Sequence, residues 1–138
     1  MKRWLPALAW LMFVGVIIYL ADRHLARWFF RFLDGHPGSD KVGHFCLIGG
    51  TAFFVNLALR GREFRFLGRG WLLGSLLVGV AFTIEEFTQL RIPWRTFDYG
   101  DLTADFVGIL FFGWVARRVL ERQRQKEQIL DAEKPHVA

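Results

Sequence analysis

The sequence predicts an all-α membrane protein with four transmembrane helices, and three observations favour this fold class. The 138-residue chain is 53% hydrophobic and 22% charged, and its mean hydropathy is +0.25. Its apolar residues form long runs. A spanning helix needs roughly 20 residues, so four of them leave too little chain for a separate soluble catalytic module. We therefore expect one membrane domain over residues 1–138.

Each predicted helix is built on an apolar run with few or no charges. The runs cover residues 5–21, 42–59, 71–84 and 106–116. The last two runs are too short to cross a bilayer alone, so their helices must extend into neighbouring acidic residues. The predicted spans are 4–21, 40–59, 71–90 and 101–120.

The first helix begins after Lys2 and Arg3 and has Pro6 in its first turn, where proline is tolerated. Its apolar run is longer than the usual core of a signal peptide, so we expect a retained anchor. Residues 22–33 carry an arginine every four residues opposite an apolar face. Two interpretations stay open for this segment: an interfacial amphipathic helix, or a continuation of helix 1.

The net charge of +5 is spread over short stretches that flank the apolar runs, which favours membrane flanks over nucleic acid as the partner. With four crossings, twelve Lys and Arg residues fall on the side of the termini and six on the other. The positive-inside rule then places both termini in the cytoplasm, with residues 121–138 as a charged, helical cytoplasmic tail. The single cysteine, Cys46, excludes an intramolecular disulfide and a Cys-based zinc site.

Polar residues in helices 2, 3 and 4 are predicted to converge at the outer membrane boundary. Three pairs spaced i and i+4 each occupy one helix face: Asp40 and His44, Glu85 and Gln89, Asp101 and Asp105. Ionisable groups within a span cost roughly 2.5 to 3.5 kcal/mol each against lipid, so they should face the interior or a wet cavity. The candidate ligand-binding residues are Asp40, Lys41, His44, Glu85, Gln89, Arg95, Asp98, Asp101 and Asp105.

The predicted cluster has an excess of negative charge. Together with Glu86 it contains six carboxylates, against three cationic side chains, Lys41, Arg91 and Arg95. Protonation or a bound cation would balance the excess, and the sequence does not choose between them. Structural roles are the alternatives: Asp98 as a helix cap, His44 as an interhelical hydrogen-bonding residue, and Glu86, on another face, directed to the interface.

A combination of these residues resembles the VanZ-like family of small bacterial membrane proteins. The resemblance covers residues 40–113 and rests on an ordered series: Asp40, Lys41, His44, Phe45, Glu85, Gln89, Pro93, Arg95, Asp101, Asp105 and Gly108. The chain departs from the family pattern at Asp105, where we expect an asparagine. The family takes its name from a protein linked to low-level resistance to the glycopeptide teicoplanin. The resemblance therefore implies a role in the cell envelope and a location in the bacterial inner membrane. A family name does not supply a mechanism.

Three functions from different classes are compatible with the sequence. A non-enzymatic envelope protein would bind a lipid headgroup, a lipid-linked cell-wall intermediate or an amphipathic antibiotic, with Lys41 and Arg95 holding an anionic group. A membrane enzyme would act on a lipid-linked substrate, with a carboxylate or His44 as general base, with or without a metal. The third function is a proton-linked carrier. It is disfavoured because the polar residues lie at one end of the predicted bundle, and none comparable crosses its middle. We expect binding rather than catalysis; the sequence indicates no cofactor or oligomeric state.

Overall fold

The computed structural model describes residues 2–23, 38–92 and 98–133 of the chain. Its elements are mostly helical, with one short β-hairpin between the second and third helices. In chain order they are a 3₁₀ turn at Lys2–Trp4, α1 at Leu5–Asp22, α2 at Ser39–Ala58, β1 at Glu63–Phe66, β2 at Arg69–Leu72, α3 at Leu73–Gln89 and α4 at Tyr99–Glu133.

Helix α2 is the centre of the bundle, because α1, α3 and α4 all pack against it. The buried apolar core joins three of the four helices and consists of Ile48, Ala52, Val78 and Ile109. Small side chains such as Ala52 allow the helix axes to come close together. The interior of this bundle is therefore narrow, and many large apolar side chains remain outside it.

The contact between α2 and α4 is a contact between backbones. A Cβ atom added at Gly108 of α4 would lie 2.5 Å from the carbonyl oxygen of Phe45 and 3.1 Å from its Cα. A Cβ atom added at Gly49 of α2 would lie 2.9 Å from the carbonyl carbon of Gly108. Only glycine fits at such distances. This approach sets the position of the N-terminal half of α4 against α2.

Polar side chains tie α1 and α3 to the central helix. The indole N–H of Trp10 lies 3.1 Å from the hydroxyl oxygen of Thr51 and 3.3 Å from the carbonyl oxygen of Leu47. On the α3 side, the amide nitrogen of the fully buried Asn56 donates to the hydroxyl oxygen of Ser75 at 2.8 Å. Burying a polar group without a partner is costly, so these bonds favour one rotation of each helix about its axis.

The sequence analysis predicts no β-strand, so the hairpin is a feature that the structure adds. Strands β1 and β2 pair antiparallel, with Phe66 opposite Arg69. The two linking residues, Leu67 and Gly68, both have positive φ, as a two-residue hairpin turn of type I′ requires. Because β2 takes the chain up to Leu72, helix α3 begins at Leu73 rather than at the predicted residue 71.

The prediction of four membrane-spanning helices is wrong. Among the described residues, only α2, Ser39–Ala58, is long and apolar enough to cross a membrane, and the core helix of a soluble protein can pass the same test. The apolar part of α1 is shorter, and α3 has 17 residues. Helix α4 has 35 residues, but charged side chains border its apolar run at both ends.

Two further predictions concern the segments beside these helices. The predicted interfacial segment 22–33 lies outside the described residues from position 24 onward. The predicted tail begins at residue 121, and α4 continues through it as far as Glu133. Its cytoplasmic location stays a prediction.

Candidate functional site

A polar cluster lies at one end of the bundle, where α2 begins, α3 ends and α4 begins. Eight of the nine predicted ligand-binding residues lie there. Its members are Asp40, Lys41, His44, Glu85, Glu86, Gln89, Asp98, Asp101 and Asp105. The glycine contact at Gly108 brings the first turns of α4 against α2, so the side chains of these two helices meet directly. The ninth predicted residue, Arg95, lies outside the described residues.

Lys41 lies between three aspartates. Its ammonium nitrogen is 3.1 Å from a carboxylate oxygen of Asp40, 2.9 Å from one of Asp98 and 3.2 Å from one of Asp101. An ammonium group has three N–H donors, so these partners use all of them. The expectation that Lys41 holds an anionic group of a ligand is therefore not supported by this geometry.

His44 connects the two aspartates of α4. Its Nδ1 lies 3.0 Å from a carboxylate oxygen of Asp105, and its Nε2 lies 3.9 Å from one of Asp101. The Asp105 side chain is only 4% exposed. In the tautomer of His44 that carries its proton on Nδ1, the ring donates this hydrogen bond to the Asp105 carboxylate. This pairing orients the imidazole ring as in enzymes that use histidine as a general base.

Glu86 is missing from the predicted ligand-binding residues, and a position at the interface was its structural alternative. In the structure it is 1% exposed and belongs to the cluster. The amide of Gln89 donates to Glu86 at 3.0 Å and to Glu85 at 3.1 Å, and the backbone N–H of Asp98 donates to Glu86 at 3.2 Å. The signal for its inward orientation was its i, i+3 spacing from Gln89, which places both on one helix face.

Asp98 caps the first turn of α4 as well as pairing with Lys41. Its carboxylate accepts the N–H of Gly100 at 2.7 Å, and its carbonyl oxygen accepts the N–H groups of Asp101 and Leu102. These bonds satisfy donors that a helix leaves without a partner at its N-terminus. Asp98 therefore both caps α4 and belongs to the polar cluster.

The surroundings shift the acidity of two carboxyl groups in opposite directions. The hydrogen bond from the Lys41 ammonium, helped by the N–H of Gly100, holds the pKa of Asp98 below its ordinary value. Burial raises the pKa of Glu86, and the hydrogen bond from the N–H of Asp98 opposes that change without reversing it. Asp98 is therefore stabilised in its ionised form, whereas ionisation of Glu86 is disfavoured.

The raised pKa of Glu86 predicts a particular dependence of stability on pH. In the unfolded chain this carboxyl ionises near its ordinary value of 4.5, whereas in the folded protein it holds its proton to higher pH. The folded state therefore loses stability as pH rises above about 4.5. The loss is complete once the pH exceeds the pKa of Glu86 in the folded protein. We expect Glu86→Gln to remove this loss, so the Tm of the variant relative to the parent should rise between pH 4 and pH 8 in thermal unfolding.

A matched control is Glu127→Gln, which changes an exposed glutamate in the same way. Its Tm relative to the parent should not vary over that pH range. A Glu86→Gln variant whose Tm runs parallel to that of the parent would show that Glu86 is solvated and ionised like an ordinary surface carboxylate.

The donor set of the cluster suits cations. One oxygen each from Asp40, Asp98 and Asp101 lie within 4.8 Å of one another, close enough to share a metal ion. The same three carboxylates bind the Lys41 ammonium, so a metal ion would compete with that side chain. The arrangement thus binds an ammonium group of the protein itself.

No family model, curated protein or solved structure matches this chain. The resemblance to the VanZ-like family therefore stays a prediction from the residues that carry it.

Proposed function

We propose that the protein is a membrane-associated binding protein of the bacterial cell envelope, and that its polar cluster holds the cationic amine of an amphipathic ligand. The observation that carries the proposal is the binding of the Lys41 ammonium by three carboxylates at once. Further carboxylates, Glu85, Glu86 and Asp105, lie in the same cluster. A second ammonium group would reduce the remaining negative charge.

Apolar side chains beside the cluster would accommodate the apolar part of such a ligand. Val42 lies next to Lys41 and is 62% exposed, and Leu90 follows Gln89 and is 65% exposed. Phe106, next to Asp105, is 44% exposed. Exposed apolar surface bordering a polar site is typical of proteins that bind lipids or membranes. The ligand is accordingly proposed to carry both an amine and a hydrocarbon or aromatic part.

Three ligand classes have this combination: an aminolipid headgroup, an amine-bearing lipid-linked cell-wall intermediate and a glycopeptide antibiotic. The proposed biological role is tolerance of an envelope-active agent, in line with the VanZ-like resemblance. Location in the cytoplasmic membrane is part of the proposal. The assignment of both termini to the cytoplasm assumed four crossings, and it is not carried into the proposal.

The proposal predicts that a positive charge on the ligand is required for binding. Dodecylamine should bind the purified protein in isothermal titration calorimetry, whereas the neutral N-dodecylacetamide should bind at least about tenfold more weakly, because a hydrogen bond to a charged group is worth roughly 1.5 to 3 kcal/mol. Asp101→Asn should weaken the binding of dodecylamine by a similar factor. Glu127→Gln, at an exposed position in the distal part of α4, should leave it unchanged.

Further titrations with dihexanoylphosphatidylethanolamine and with teicoplanin would distinguish the ligand classes. Equal affinity for the amine and the acetamide, in the parent and in Asp101→Asn, would show that the protein takes up apolar chains without using the cluster. In that case the proposed function is wrong.

A second candidate function is catalysis by His44 as a general base, and the His44–Asp105 hydrogen bond favours it. The two candidates differ in what happens to the ligand. A binding protein returns dihexanoylphosphatidylethanolamine unchanged after prolonged incubation, whereas an enzyme acting on it releases a cleaved product that mass spectrometry detects.

A further inference from the structure

A second candidate site lies at the end of α2 opposite to the polar cluster. It is a cavity of about 240 Å³ between the 3₁₀ turn Lys2–Trp4 and the chain that follows α2. Its lining residues are Arg3, Trp4, Ala58, Leu59, Arg60 and Arg62. It shares no residue with the polar cluster, so its function is independent of the one proposed above.

This cavity has an excess of positive charge. Three of its six described lining residues are arginines, and none is acidic. Within residues 2–23, 38–92 and 98–133, no carboxylate pairs with the guanidinium groups of Arg3, Arg60 or Arg62. The nearby carboxylate of Glu63 pairs with Arg117 at 2.7 Å instead. Positive charges gathered around a cavity without a counter-ion favour an anionic ligand.

The backbone holds Arg60 in a conformation that arginine seldom adopts. Two backbone hydrogen bonds close the C-terminus of α2. The N–H of Arg60 donates to the carbonyl oxygen of Leu57, and the N–H of Gly61 donates to the carbonyl oxygen of Asn56. This termination places Arg60 in the left-handed region, at φ +56°, where glycine is usual. The guanidinium of Arg124 donates to the carbonyl oxygen of Arg60 at 3.0 Å and helps to hold it there. An arginine at this position costs backbone energy that glycine would not.

We propose that this cavity binds the phosphate group of an ester with an apolar part. Guanidinium groups match phosphate oxygens with paired hydrogen bonds, and several around one cavity bind phosphate more tightly than isolated ones. The rest of the wall is apolar, from Trp4, Ala58 and Leu59, and suits the carbon part of the ester. The volume fits a headgroup rather than a whole lipid.

The test is calorimetric titration of the purified full-length chain with three probes. Dihexanoylphosphatidic acid should bind, and dihexanoylglycerol, which lacks the phosphate, should not. Titration with inorganic phosphate distinguishes a free phosphate ligand from a phospholipid headgroup. If inorganic phosphate binds as tightly as the lipid, the ligand is free phosphate. If it binds at least about tenfold more weakly, the ligand is a phospholipid headgroup. No binding of either phosphate compound overturns the proposal.

Two variants test the assignment to this cavity. Arg60→Gly removes a guanidinium while placing at φ +56° the residue that fits best there, so its Tm should equal or exceed that of the parent. Its affinity for dihexanoylphosphatidic acid should fall about tenfold or more, and Arg62→Gln should behave similarly. Arg122→Gln, with the same loss of charge at an exposed position on α4, should change the affinity less than twofold. Equal affinity of Arg60→Gly and the parent, or equal weakening by Arg122→Gln, would show diffuse charge attraction and no specific site.

Discussion

Replacing Gly108 with alanine is expected to lower the free energy of unfolding by about 2 to 3 kcal/mol, near the upper end of the usual cost of overpacking. The added methyl group would lie 2.5 Å from the carbonyl oxygen of Phe45. That oxygen belongs to the backbone of α2 and cannot rotate away as a side chain can. The two helices must therefore move apart, and denaturant unfolding measures the cost.

The same change at a glycine of α2 provides the control. A Cβ atom added at Gly43 meets no atom within 4 Å, so Gly43→Ala should stabilise the helix by up to about 1 kcal/mol through propensity alone. Separation of α2 from α4 in Gly108→Ala should also move Asp105 from His44 and weaken amine binding. If Gly108→Ala is as stable as the parent, the two backbones are not in contact.

Asp105→Leu should be the second large perturbation, because it leaves the ring of His44 facing an apolar side chain of similar size. Removal of one partner from a buried charged pair typically costs 3 to 5 kcal/mol. His44 keeps 24% of its side chain exposed and can regain some hydration, so we expect a loss of about 2 to 3 kcal/mol in the free energy of unfolding.

Asp105→Asn separates the loss of the hydrogen bond from the loss of charge. The amide oxygen of asparagine still accepts the Nδ1 proton of His44, so the loss should stay below about 1 kcal/mol. The VanZ-like resemblance also expects asparagine at this position. A parallel loss of stability in both variants would mean that the charge of Asp105 matters and the hydrogen bond does not.

Much of the polar cluster could be predicted from periodicity and connectivity. The i, i+4 spacing of Asp40 and His44 places both on one face of a helix whatever surrounds it. Alternating helix directions then bring the start of α2, the end of α3 and the start of α4 to one end of the bundle. The shared helix faces follow from local helix geometry, and the shared end of the bundle follows from short connections between helices. Neighbouring residues in the sequence encode both features.

Predictions that required the length and apolar character of whole helices were less successful. The runs of apolar residues correctly indicated helices, but the hairpin at residues 63–72 shortened α3, and charged residues border the apolar run of α4. A run of apolar residues shows that a segment avoids water, and both a lipid bilayer and a protein core satisfy that requirement. Hydropathy alone therefore overestimated the number of spans.

The local sequence determined which residues could share a face, and the tertiary structure decided which partner each one has. Lys41 was expected to hold an anionic group, yet its ammonium binds three aspartates, two of them about 60 positions away along the chain. Glu86 was left out of the predicted ligand-binding residues, yet the start of α4 donates a hydrogen bond to it. Electrostatic and hydrogen-bond energies change steeply over 1 or 2 Å. Such distances between helices are set by packing contacts such as that of Gly108 with Phe45, which no local pattern in the sequence specifies.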